Sequence, residues 1–168
     1  MLNTRAIRRK IRAVDNVKKI TTAMQMVAAA RLRRMQARVA SGRLYAERIN
    51  QITARAVAAA PAVAHPLLEH RDKPASICLV VVGSARGLCG AYNINLFREA
   101  ERFLGTHPGE AVIAPLGRKA RQFFQRRERP LAGTYDEISG EVPQPLIARL
   151  ARDLCRRFEA GEWRELWL

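Results

Sequence analysis

The stretch with the clearest chemical promise is Gly83-Ser-Ala-Arg-Gly-Leu-Cys-Gly90, set between an apolar run and an amphipathic one. Glycines after a strand let backbone N–H groups close around an anion at the start of a helix, which is how α/β folds hold phosphates. The spacing here is neither GxGxxG nor GxxxxGK[ST], and no lysine or Mg²⁺-binding hydroxyl stands where a P-loop needs one. A tight strand-to-helix turn, with Gly87, Cys89 and Gly90 as its turn residues, is the favoured reading. A small nucleotide-binding α/β protein is the alternative. Cys89 lies near a predicted helix start and beside Arg86, both of which favour a thiolate. A cysteine nucleophile also needs a base. His65 and His70 fall in a connector and His107 in a loop beside Pro108, so none is well placed to supply one. The carboxylates are scattered, and the adjacent Asp136 and Glu137 fall on a turn. The sequence therefore nominates no catalytic, cofactor-binding or metal-binding residue.

The three cysteines, Cys78, Cys89 and Cys155, are odd in number and lack CxxC spacing. That argues against a disulfide framework or a zinc site and for reduced, buried thiols. The net charge of +15 is unevenly placed. Residues 1–60 carry 14 Lys and Arg against Asp15 and Glu47 alone, whereas the remainder carries 16 basic and 13 acidic side chains. A cationic segment of this kind needs an anionic partner: nucleic acid, anionic lipid or an acidic protein surface. Arg5, Arg8, Arg9, Lys10, Arg12, Lys18 and Lys19 lead into a cluster at Arg31, Arg33 and Arg34. A basic coiled-coil nucleic-acid binder is thus a second alternative. Against it, no aromatic residue interrupts the run before Tyr45, and no nucleic-acid-binding fold follows.

These groups must be positioned by a small set of elements. From Leu2 to Ala60 there is no proline and one glycine, Gly42, among many Ala, Arg, Leu and Met, all good helix formers. Apolar positions recur at Ile7, Ile11, Val14, Val17, Ile20 and Met24, then at Ala28, Leu32, Met35, Val39, Gly42, Ala46, Ile49 and Ile52. That heptad-like stripe predicts one helix, capped near Asn3 and stopped at Pro61, with a coiled-coil seam. At 1.5 Å per residue it would extend roughly 85 Å, so it must pair with another helix. The Arg-rich start resembles a transit peptide, but the periodicity runs far past transit-peptide length. No run approaches the roughly 20 apolar residues that a membrane span needs.

Residues 61–75, with Pro61, His65, Pro66, Arg71 and Pro74, read as an irregular connector. Residues 76–168 read as an α/β unit. Ser76–Gly83 and Ala111–Leu116 are apolar, strand-like runs of the buried parallel kind. Tyr92–Leu104, Arg118–Arg127 and Pro143–Glu159 are helical. A weaker strand is expected around Leu131–Tyr135, and another begins in Trp163–Leu168. The fold class is therefore α/β: a long N-terminal coiled-coil helix, then a small open, mostly parallel sheet with flanking helices, Rossmann-like and incomplete.

Ile7-Arg-Arg-Lys-Ile-Arg12 and Ile20-Thr-Thr-Ala-Met-Gln-Met-Val-Ala-Ala-Ala-Arg-Leu-Arg-Arg34 resemble the first helix of the gamma subunits of F-type ATP synthases. So do Gly87-Leu-Cys-Gly-Ala-Tyr-Asn93 and Leu116-Gly-Arg-Lys-Ala-Arg-Gln-Phe-Phe124, each following a strand. The family commonly has Asp where this chain has Ala85, which puts any contact by that residue in doubt but not the fold. The resemblance implies a non-catalytic rotor shaft without cofactors, turning inside a ring of alpha and beta subunits. Its foot would lie near the epsilon subunit and the c-subunit ring. The implied location is peripheral, on the cytoplasmic side of a bacterial plasma membrane, with neither a membrane span nor nucleic acid. It also implies contact with acidic beta-subunit loops at Lys18, Met24, Arg33 and Arg34. The seam Ile7, Ile11, Val14, Ala28, Leu32, Met35, Val39 and Ile49 would face a long C-terminal helix. No such helix follows Leu168, so the expectation is a fragment of the longer family pattern.

Overall fold

The computed structural model describes residues 4–60, 64–69, 76–107, 109–135, 142 and 144–168. The cap at Asn3, the stop at Pro61, much of the connector, and His70, Pro108, Asp136, Glu137 and Pro143 lie outside them. The chain divides into two compact units, Met1–Val63 and Ala64–Leu168.

In the first unit, α1 runs unbroken from Thr4 to Ala59, 56 residues with none buried. Its polar side chains leave the backbone ladder intact. The Thr21 hydroxyl donates to the Val17 carbonyl at 3.0 Å and Thr22 to that of Lys18 at 2.9 Å. Such bonds to the preceding turn let β-branched threonines sit within a helix.

The second unit is a parallel three-stranded sheet with strand order β2-β1-β3. β1 (Ile77–Val82) is central, β2 (Ala111–Leu116) lies on one side, and the short β3 (Glu165–Trp167) on the other. Three helices flank it: α2 (Tyr92–Thr106), α3 (Arg118–Gln125) and α4 (Gln144–Glu159). Alternate β1 side chains point to opposite faces. Leu79 and Val81 join Phe97, Ala100, Leu104, Ile113, Ala120 and Phe124 in one core cluster. Cys78 and Val80 join Ala114, Leu116, Leu154 and Trp163 in the other. With both faces covered, β1 is apolar throughout rather than alternating.

Two details depart from the sequence expectation. Leu131–Tyr135 forms no continuous strand but touches β2 through two isolated bridges, Ile113 with Leu131 and Leu116 with Tyr135. On this side of β2, Ile113 N–H donates to the Pro130 carbonyl at 2.8 Å and Gly117 N–H to that of Tyr135 at 3.1 Å. The residue midway between these donors is Pro115, which has no N–H to give, and the ladder breaks there. The second departure is Trp163. It is not part of β3 but precedes it, buried in the core, with the Arg157 guanidinium 4.7 Å from its ring centroid.

The turn from β2 into α3 passes against the end of β1. Gly83 N–H donates to the Leu116 carbonyl at 2.8 Å, and Lys119 N–H to that of Ser84 at 3.1 Å. Gly117 has φ +89°, and a Cβ there would stand 2.4 Å from the Gly83 carbonyl oxygen. Only glycine satisfies both conditions. Gly117→Ala is accordingly expected to lower the urea midpoint of the α/β unit by the equivalent of about 2 kcal/mol or more. An unchanged midpoint would show that this close approach is not required.

Candidate functional site

Two surfaces carry the residues singled out above. The first is α1 itself. The side chains expected to form a seam are all exposed, Leu32 at 58% and Met35 at 40% among them. The contact candidates Lys18, Met24, Arg33 and Arg34 are exposed too. One helix thus presents an apolar stripe and a cationic surface along the same rod. Its two acids do little to neutralise it. Glu47 pairs with Arg43 at 2.9 Å across one turn, an exposed pair of the kind worth only a few tenths of a kcal/mol.

The second surface is the turn from Gly83 to Ala91, between β1 and α2. Its shape is set by the amide of Asn93, in the first turn of α2. Asn93 Oδ1 accepts the Ser84 N–H at 3.1 Å, while Nδ2 donates to Ser84 Oγ at 2.7 Å and Cys89 Sγ at 3.0 Å. Ser84 Oγ donates to the Arg86 carbonyl at 2.6 Å, and the Tyr92 hydroxyl to that of Val82 at 2.7 Å. The N–H groups of Gly83 and Ser84 are directed into the protein, to the Leu116 carbonyl and to Asn93 respectively. Gly90 takes φ +58°, a conformation that suits glycine. Gly87 has open space where a Cβ would go. The sequence assigned Ser84 and Asn93 no role: a serine after a strand and an asparagine in a helix's first turn are too common to signal a mutual lock.

Cys78, Cys89 and Cys155 are free thiols. Cys78 is fully buried, and burial pushes its thiol up to about 11. Tyr135 is pushed up to about 12, first by burial and then by its hydrogen bond to Asp153; its hydroxyl donates to Asp153 Oδ2 at 2.8 Å. The same bond holds the Asp153 carboxyl below the usual range. Arg157 braces this end of α4, donating to the Ala132 carbonyl and pairing with Glu162 at 2.6 Å. These are structural contacts that tie α4 to the neighbouring loops. Among the described residues, no group of three His, Cys, Asp or Glu side chains could hold a metal ion. No helix among them is long and apolar enough to cross a membrane.

The family model described as ATP synthase matches residues 3–168. The chain is similar to the ATP synthase gamma chain of Pelotomaculum thermopropionicum, 33% identical over 168 residues, covering 100% of this chain and 59% of that one. It is 35% identical to that of Desulforamulus reducens over 168 residues, with the same two coverages. With the gamma chain of a Synechococcus species it shares 44% identity over 167 residues, 96% of this chain and 52% of the relative. The chain therefore spans little more than half the length of these curated relatives.

The raised thiol and phenol fix how the α/β unit responds to alkali. Both groups are held neutral by the fold, so each contributes stability that is fully present below its unfolded pKa and is lost as pH rises toward its folded one. Urea midpoints are expected to stay level to about pH 8, then fall as Cys78 and afterwards Tyr135 ionise preferentially in the unfolded chain. Cys78→Val should delay the onset of that fall by about one pH unit. An onset unchanged by Cys78→Val would show that burial of Cys78 does not control it.

Proposed function

The chain belongs to the ATP synthase gamma-chain family, and on that premise we propose that it is a non-catalytic central-stalk rotor element. It would couple proton flow to ATP synthesis by rotating within the alpha–beta ring. The observation that carries this reading is α1: 56 unbroken helical residues, none buried, with an apolar stripe and a strongly cationic surface. A rigid rod of about 84 Å at 1.5 Å per residue is long enough to act as a shaft. The seam Ile7, Ile11, Val14, Ala28, Leu32, Met35, Val39 and Ile49 would pack on a second helix by knobs-into-holes contacts. Lys18, Met24, Arg33 and Arg34 would meet acidic loops of the surrounding beta subunits, which bind ATP and Mg²⁺ themselves.

Residues 1–60 are the shaft in this reading, 61–75 the connector, and 76–168 the foot, near epsilon and the c-subunit ring. The assembly would lie peripherally on the cytoplasmic face of a bacterial plasma membrane, and neither nucleic acid nor a cofactor is called for. The Asn93 lock favours a structural turn at Gly83–Gly90 over a nucleotide site, since it turns the Ser84 N–H inward and braces the turn from within.

Co-expression with the alpha, beta and epsilon subunits tests the reading directly. With a second helix supplied for the seam, the tagged chain should recover all three subunits, whereas Leu32→Asp with Met35→Asp should abolish recovery. Burying two charges in the seam costs several kcal/mol. Undiminished recovery by the double variant would overturn the seam, and no recovery by the unsubstituted chain would overturn the rotor assignment. The purified chain alone should hydrolyse no ATP. Turnover abolished by a change within Gly83–Gly90 would instead establish an enzyme.

A further inference from the structure

The first turns of α1 sort charge and apolar surface onto opposite sides of the helix. From Arg5 to Ile20 there are seven Lys and Arg and a single acid, Asp15. Ile7, Ile11, Val14 and Val17 recur at spacings of four and three, so they share one face. Arg5 and Arg9 stand two residues to either side of Ile7, Arg12 two before Val14, and Lys19 two after Val17. An offset of two residues is about 200° of helix, which sets these cations on the opposite face. Lys10 and Lys18 share the apolar face, where a long stem carries the ammonium group to the edge. The four apolar side chains are all exposed, from 41% at Ile7 to 66% at Val14.

We propose that residues 4–20 form an interfacial helix that lies flat on an anionic lipid bilayer while the apolar stripe of α1 is uncovered. One surface must satisfy two demands: anionic groups for the cations and an apolar medium for Ile7, Ile11, Val14 and Val17. The boundary between headgroups and acyl chains of an anionic bilayer offers both side by side. Nucleic acid meets only the first demand and leaves the stripe in water. The helix lies on the bilayer rather than crossing it, since no helix among the described residues is long and apolar enough to span. Ile7, Ile11 and Val14 also belong to the proposed seam, so lipid and a second helix exclude one another. The bilayer contact therefore belongs to the chain before assembly. It rests on the surface of α1 alone and stands independently of the rotor reading.

Flotation of the full chain with vesicles of phosphatidylcholine containing about one-third phosphatidylserine tests this. Partitioning should be at least about ten-fold stronger than onto phosphatidylcholine alone, and should fall several-fold between about 0.1 and 0.5 M salt. Ile11→Gln with Val14→Gln keeps every cation and places a good helix former at each position. That pair should lower partitioning at least about ten-fold with the circular-dichroism helix signal unchanged, because the apolar contact is lost. Arg8→Gln with Arg12→Gln should weaken partitioning onto the anionic vesicles by a similar factor and leave that onto phosphatidylcholine unchanged. Backbone amides in residues 4–20 should exchange more slowly on anionic vesicles. Equal partitioning onto both kinds of vesicle overturns the charge recognition. Undiminished partitioning by the Ile11, Val14 variant overturns the apolar contact, and unchanged exchange in residues 4–20 overturns the site. Tighter binding to duplex DNA than to anionic vesicles at the same salt, undiminished in the Ile11, Val14 variant, assigns the cations to nucleic acid and overturns the proposal.

Discussion

The α/β unit depends on the burial of β1 on both faces. A strand in that position must be apolar at every residue and must be flanked by parallel neighbours, because helices cover each side of the sheet. Ile77 to Val81 meet the first condition, all of them buried. The second is met by β2 and β3, which pair with β1 from opposite sides. The remaining elements follow from it. α2 and α3 cover the face of Leu79 and Val81, with Phe97 stacked on Phe123 at 4.3 Å between centroids. α4 and Trp163 cover the face of Cys78 and Val80. The tight passage at Gly83 and Gly117 brings the ends of β1 and β2 together without a side chain between them.

α1 obeys the opposite constraint. Helices in proteins owe most of their stability to a packed apolar face rather than to propensity, and α1 packs none of its own. Fully burying each Leu, Ile, Val or Met would gain about 1.5–3 kcal/mol, and the proposed seam offers seven such side chains besides Ala28. That total rivals the 5–15 kcal/mol stability of a whole domain. Like charges along the same rod oppose pairing with another copy of itself. The same charges favour a partner that supplies an apolar seam and acidic groups together, so hydrophobic and electrostatic demands select one kind of assembly.

Much of this was legible in the sequence, for identifiable reasons. The long helix showed itself through period and composition, and β1 and β2 through uninterrupted β-branched runs, all of them local signals. The failed strand at Leu131–Tyr135 was not legible. Its interruption depends on which edge of β2 Pro115 turns outward, and that is fixed only by pairing with β1. Trp163 was likewise read as strand, because a tryptophan next to Leu166 and Trp167 satisfies strand composition. Its actual place is in the core with Cys78, Val80 and Ala114, residues far from it in sequence. Gly87, Cys89 and Gly90 lie between β1 and α2. The lock that shapes the turn escaped notice because it joins Ser84 to Asn93 through side-chain amide geometry, which no spacing rule encodes.

The turn after β1 also shows how little separates two functions in this architecture. In a phosphate-binding α/β protein, the N–H groups after the first strand point outward and glycine lets an anion approach them. Here the same groups turn inward, one to Leu116 and one to Asn93, so one asparagine supplies from within the chain the acceptor that a phosphate would have supplied. Once those donors are satisfied internally, the turn needs no ligand to hold its shape. The large hydrophobic side chain it exposes most is Leu88, at 96%. A position suited by topology to bind a small anion is here braced by the chain's own Asn93, which ties Ser84 to Cys89.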